Sequence, residues 1–302
     1  MDKIRRITPI LSICRLITLT TFSTSQPTLK IAAQKSKCFQ KMLSSSPAGN
    51  VTVDKQEGLA VLKMHRKPVN SLNTEFLKEL TETLDSLEKD KETKGVILTS
   101  GIPKIFSAGL DIMEMYNSTD EKVRDFWFHH QSFWMKLYGS KLFTIAQING
   151  QSPAGGCAMA ISCDYRVMGS EFRIGLNETH LGIVAPTMYQ DTLVSTVGQA
   201  QAELVLGLGE MWTADEAQKI GMVNVVCPVK DIEEKTRAAA AKWMNIPVKA
   251  RYLSKIALRQ PVLDKLMNNR QADIDYFAQF IQTPAVQKSI EVYLQNLKKK
   301  SK

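Results

Sequence analysis

After position 50 the spacing of apolar and polar residues changes several times, and each change marks an element. Val51–Val53 and Leu59–Met64 have the short apolar pattern of strands, on either side of a turn at Gln56-Glu57-Gly58. Phe76, Leu77, Leu80, Leu84 and Leu87 then recur at helical spacing and fall on one side of a helix. Pro68-Val69-Asn70-Ser71-Leu72 leads into it, and Asn73 can cap it by accepting a backbone N–H bond. Gly95–Ser100 is a short apolar run, suited to a strand covered on both faces. A helical, aromatic-rich stretch occupies 119–138. Thr144–Asn149 and Tyr165–Met168 read as strands, with a turn at Gly155-Gly156 and a short helix to about Cys163 between them.

This strand–turn–helix alternation, without hairpin signals in its middle, predicts an α/β fold with right-handed crossovers. From Thr187 the chain is mostly helical. Thr213-Ala214-Asp215-Glu216 forms a capping box, Gly221 stops that helix and Val223–Val226 is a terminal strand. Residues 231–298 read as helices interrupted near Pro247, Pro261 and Pro284. The organisation expected is a leader over 1–47, a catalytic core over 48–245 and a helical C-terminal region over 246–302.

Charge sharpens the first boundary. The net charge is +9, yet residues 1–50 hold eight basic residues against Asp2 alone, so +7 sits there and +2 remains for the body. A near-neutral body has no broad electrostatic footprint for nucleic acid. The leader is rich in Arg, Lys, Ser and Thr, with Ile4, Leu11, Ile13, Leu16 and Ile17 as an apolar face. That composition predicts a mitochondrial transit peptide and delivery to the matrix. No apolar run is long enough for a membrane span. The C-terminal lysines do not form a peroxisomal address. Five cysteines (Cys14, Cys38, Cys157, Cys163, Cys227) show neither metal spacing nor a disulfide framework. The four histidines form no ligand pair, and adjacent His129 and His130 point to different helix faces. No metal and no redox cofactor is expected.

Three segments carry candidate chemistry. Ser107-Ala108-Gly109-Leu110-Asp111 follows a strand, and the Leu110 N–H is a candidate oxyanion donor. Pro153-Ala154-Gly155-Gly156-Cys157 opens a helix, where the Gly155 N–H and the helix dipole favour negative charge. Glu178, between apolar Leu176 and Leu181, is a candidate base whose pKa desolvation would raise. Asn177 is a candidate substrate contact and His180 a surface residue, while Cys157 has no evident base to activate it.

These segments, in this order, resemble the crotonase (enoyl-CoA hydratase/isomerase) superfamily from about Val51 to about Leu297, and within it the mitochondrial Δ3,Δ2-enoyl-CoA isomerase branch. The resemblance implies a spiral of ββα units, a helical C-terminal trimerisation region and an acyl-CoA thioester substrate, with coenzyme A part of that substrate. It assigns the oxyanion N–H groups to Leu110 and Gly155, the catalytic base to Glu178, and substrate contacts to Ala108, Gly109, Leu110, Asp111, Ile112, Gly155 and Asn177. Arg66, Lys67 and the C-terminal lysines are candidates for the coenzyme A phosphates. Hydratases of the superfamily place a second glutamate where this chain has Ala158, and dienoyl-CoA isomerases need acids where it has Ala158 and Pro186. One base suffices for a 1,3-proton shift that moves the double bond of a 3-cis or 3-trans-enoyl-CoA to the 2-trans position. Hydration, or a crotonase-fold binding protein without catalysis, are the alternatives.

Overall fold

The computed structural model describes residues 49–300. The leader expected over 1–47 and the tip of the C-terminal lysine run lie outside the described residues. Strands β1 (Val51–Gln56) and β2 (Leu59–Met64) form an antiparallel hairpin. Its two-residue loop has Glu57 at φ 52° and Gly58 at φ 82°, the left-handed pair that matches strand twist. Helix α1 (Thr74–Lys89) carries the chain to β3 (Gly95–Ser100), which lies parallel to β2. Asn73 caps α1 by accepting from the Phe76 N–H at 3.1 Å. The five apolar residues named above are all at most 2% exposed, and each contributes about 1.5–3 kcal/mol by burial. All six residues of β3 are buried.

From here one unit repeats. Strand β3 is followed by the short strand β4 (Lys104–Ile105), then a 3-10 turn and helix α2 (Asp120–Tyr138). Next come β5 (Phe143–Ile148), β6 (Gly150–Pro153) and α3 (Gly155–Ser162). The third round is β7 (Tyr165–Gly169), β8 (Arg173–Gly175), a 3-10 turn and α4 (Thr187–Val197). In each round the first strand joins one sheet and the second joins another. The larger sheet has the order β1-β2-β3-β5-β7-β10, closed by β10 (Val225–Cys227), and beyond the hairpin all its pairs are parallel. The smaller has the order β4-β6-β8-β9, where β9 is Trp212–Thr213. Because β4, β6 and β8 are parallel neighbours, the three turns leaving them emerge side by side. That alignment brings the three candidate segments together.

The remaining helices are α5 (Gln199–Leu208), α6 (Ala214–Lys219), α7 (Ile232–Met244), α8 (Val248–Asn268), α9 (Arg270–Ile281) and α10 (Pro284–Lys300). The capping box at the start of α6 is formed by Thr213 and Glu216 as expected. Helix α7 covers the outer face of the larger sheet, where Ile232 and Ala240 meet Ile97, Phe143, Ile145 and Val167. The interruption expected near Pro261 is absent, since α8 continues through that residue. Tertiary anchoring outweighs the lost hydrogen bond. Lys255 and Arg259 of α8 reach Asp164 at 2.8 and 3.1 Å, and Leu263 and Leu266 are buried. Pro247 and Pro284 do stand at helix starts, where a missing N–H costs nothing. No helix among the described residues is long and apolar enough to cross a membrane.

Candidate active site

The first turn is laid along the segment before α1 as if it were a strand. Leu72 and Leu110 form a parallel bridge. The Leu72 N–H donates to Gly109 O at 2.8 Å, and the Asp111 N–H to Leu72 O at 3.0 Å. The Asn70 side chain donates to Phe106 O, and Ser107 Oγ to Asn70 O. The Asp111 bond, with one of 3.1 Å from the Gly109 N–H to Ser107 Oγ, occupies the N–H groups on either side of Leu110. The Leu110 N–H itself has no acceptor among the described residues.

The second turn meets the first at van der Waals distance. Gly109 has φ +85°, and a Cβ there would lie 2.8 Å from Gly155 N. A Cβ on Gly156 would lie 2.3 Å from Ser107 O. Only residues without side chains let the two backbones approach this closely. Ala154 is held at φ 47°, ψ −124°, a conformation uncommon for a residue with a side chain. Its N–H donates to Gly175 O at 2.8 Å, which ties the second turn to the third. Gly155 then starts α3 with its N–H free, as helix geometry requires for a first residue. A Cβ on Gly155 would lie 3.1 Å from Leu110 N, so the two donors flank one small space.

The third turn delivers the carboxylate. Strand β8 pairs with β6 so that Gly175 lies opposite Pro153, one turn away from Gly155. A 3-10 turn over Glu178–Leu181 follows, ended by Gly182 at φ 69°. Glu178 is 5% exposed, and its Oε2 has no hydrogen-bond partner among the described residues. Burial pushes its pKa up from 4.5 to about 7, opposed only by its own backbone N–H. The expected desolvation is therefore present, and no cation stands close enough to reverse it.

A cavity of about 140 Å³ joins these parts. Of the candidate residues, Ala108, Leu110, Ile112, Gly155, Asn177 and Glu178 line it. Gly109 forms the contact between the turns. Asp111 is turned elsewhere, pairing with Arg66 at 2.9 Å and capping the turn that follows through the Met113 N–H. Arg66 is thus engaged by Asp111 and by Ser71. The sequence reading missed the apolar wall made by Met115, Leu181, Ile183, Ile290 and Tyr293. Ile290 and Tyr293 come from α10, more than a hundred residues from Glu178 in the chain, and only the fold could place them here. A larger recess of about 480 Å³ lies beyond Asn177, among Arg173, Glu210 and Trp212. It contains neither free N–H group nor Glu178, so the chemistry belongs to the smaller cavity.

Other sequence candidates lie apart from this chemistry. His129 faces Asp125 at 3.4 Å, and exposed His180 meets Leu208 O at 2.9 Å. Cys157 is buried and burial pushes its thiol pKa well up, which makes it inert as a nucleophile. Ala158 is 1% exposed within α3 and brings no acid to the cavity. Among the described residues no cluster of three potential metal ligands occurs.

A buried, neutralisable carboxylate facing two unoccupied backbone N–H groups is the constellation of enzymes that form and discharge an enolate. Residues 54–302 match the family model described as enoyl-CoA hydratase/isomerase, and the chain belongs to that family. It is 47% identical over 254 residues to the mitochondrial enoyl-CoA delta isomerase 1 of Rattus norvegicus, covering 83% of this chain and 88% of that protein. The Homo sapiens protein of the same name is 44% identical over 250 residues, covering 82% and 83% of the two chains. The crystal structure of human mitochondrial delta3-delta2-enoyl-CoA isomerase superposes with a TM-score of 0.83 at 42% identity. That match covers 84% of this chain and all of the other, so the fold is that of the crotonases.

Proposed function

We propose that this protein is a mitochondrial Δ3,Δ2-enoyl-CoA isomerase. It moves the double bond of 3-cis or 3-trans-enoyl-CoA to the 2-trans position during oxidation of unsaturated fatty acids. The carrying observation is a single partnerless carboxylate, Glu178, sharing a cavity with the Leu110 and Gly155 N–H groups and with no second acid beside it. The Leu110 and Gly155 N–H groups hold the thioester oxygen. Glu178 as carboxylate takes a proton from C2, and the electron pair moves into a dienolate whose charge rests on that oxygen. The protonated Glu178 then returns a proton to C4, and the double bond becomes conjugated with the thioester. A pKa near 7 suits a group that must both accept and give a proton.

Names of the relatives and the basic leader support a mitochondrial site of action, in the matrix. Coenzyme A enters as part of the substrate, and the reaction calls for no separate cofactor. The family and the exposed apolar positions on α5 and α8 support assembly as a homotrimer. The test is product analysis with 3-trans- and 2-trans-hexenoyl-CoA. Conversion of the first to the 2-trans product, faster than water addition to the second, is expected. Faster hydration would overturn the reading.

A further inference from the structure

One buried polar pair sits behind Gly155, next to the cavity lining, and has no part in the proton transfer described above. Tyr189, in the first turn of α4, is 2% exposed, and its hydroxyl lies 2.5 Å from His130 Nε2 on α2. His130 is also 2% exposed, edge-on to Tyr189 and packed against Trp127 and Phe126. Burial pushes its pKa down to about 3, so the ring is neutral and carries one N–H. Nδ1 has no hydrogen-bond partner among the described residues. Buried N–H groups without an acceptor are rarer than acceptors without a donor. The ring proton therefore belongs on Nε2, donated to the tyrosine oxygen. That leaves the Tyr189 O–H free to donate elsewhere.

The space it faces is defined by Gly155. A Cβ on Gly155 would lie 3.1 Å from the Tyr189 hydroxyl oxygen and 3.1 Å from Leu110 N. The tyrosine hydroxyl and the Leu110 N–H thus both lie close to the same side of Gly155. Burial, with the Glu178 carboxylate nearby, keeps the phenol protonated, so it remains a donor throughout the working pH range.

We propose that Tyr189, aligned by His130, is a third hydrogen-bond donor to the thioester oxygen, beside the Leu110 and Gly155 N–H groups. This rests on the thioester reading of the site given above. A neutral donor costs little when the substrate binds and gains strength as charge gathers on the oxygen, so its effect falls on kcat.

Tyr189→Phe removes only the hydroxyl. With 3-trans-hexenoyl-CoA we expect kcat to fall by about tenfold or more, at the weak end for an oxyanion donor, with KM little changed. The infrared carbonyl band of bound hexanoyl-CoA, labelled with carbon-13 at the thioester, should move part-way back toward its position in water. A kcat within about twofold of the unaltered protein, or an unmoved band, would overturn the proposal. His130→Gln should lower kcat likewise, and the double variant should be no slower than Tyr189→Phe alone. Multiplied losses would remove His130 from the role. A band shift in a protein that does not isomerise would uphold the donor and reject the isomerase reading.

Discussion

Glu178 is a residue whose burial costs stability and gives chemistry. Its ordinary pKa of 4.5 is raised to about 7 in the folded protein, chiefly by desolvation. Folding therefore favours the protonated form. Below pH 4.5 the group is neutral in both states and burial carries no ionic cost. The cost grows between pH 4.5 and 7 and is complete above, on the order of 3 kcal/mol. Glu178→Gln should thus be more stable than the unaltered protein at pH 8 and lose that advantage by pH 4, as read by urea unfolding. In the same variant kcat should fall about 10²–10⁴-fold, the range for a lost general base. Hexanoyl-CoA binding should persist, because the amide keeps the shape of the acid. For the unaltered protein, kcat/KM should rise with pH and level off above about 7, since the free enzyme must begin as the carboxylate. A pH-independent kcat/KM between 5 and 9 would point to a different base.

At the scale of elements, the site exists because three short strands are parallel neighbours. Those strands were the least legible part of the sequence. β4, β6 and β8 are two to four residues long, too short to show a period of alternation. Long elements were readable for the opposite reason. The helical spacing from Phe76 to Leu87 and the apolar run from Gly95 each extend over enough residues to declare their period. The candidate segments were legible through their glycines, which betray close backbone approach. Buried Tyr189, His130 and Ile290 and half-buried Tyr293 gave no such signal, because each is an ordinary apolar-packed residue until the topology brings it to the site. The contact between turns predicts the effect of Gly155→Ala. Its methyl would sit 3.1 Å from both Leu110 N and the Tyr189 oxygen, against the donors proposed above to hold the thioester oxygen. We expect kcat to fall about 10²-fold or more, while circular dichroism and thermal midpoint stay close to those of the unaltered protein. A large loss of midpoint would instead assign Gly155 to packing.

At the scale of the molecule, the C-terminal helices serve two surfaces. On their inner side α8 is fastened by Lys255 and Arg259 to buried Asp164, and α10 places Ile290 and Tyr293 over the cavity. On the outer side, Leu253 and Leu258 of α8 are 51% and 83% exposed, and Leu204 and Leu208 of α5 are about half exposed. Scattered exposed leucines need no explanation, but two on α5 and two on α8 suit surfaces covered by other copies. On the homotrimer proposed above, light scattering after gel filtration should give the mass of three chains. Replacing Leu253 and Leu258 together by glutamate would bury charge in such an interface and should lower the mass to that of one chain. The internal anchors of α8 are untouched by those substitutions, so the dissociated chain should keep its helical content. It should lose activity only as far as α10 depends on the neighbouring subunits to stay over the cavity. A trimer that survives both glutamates would place the interface on another face.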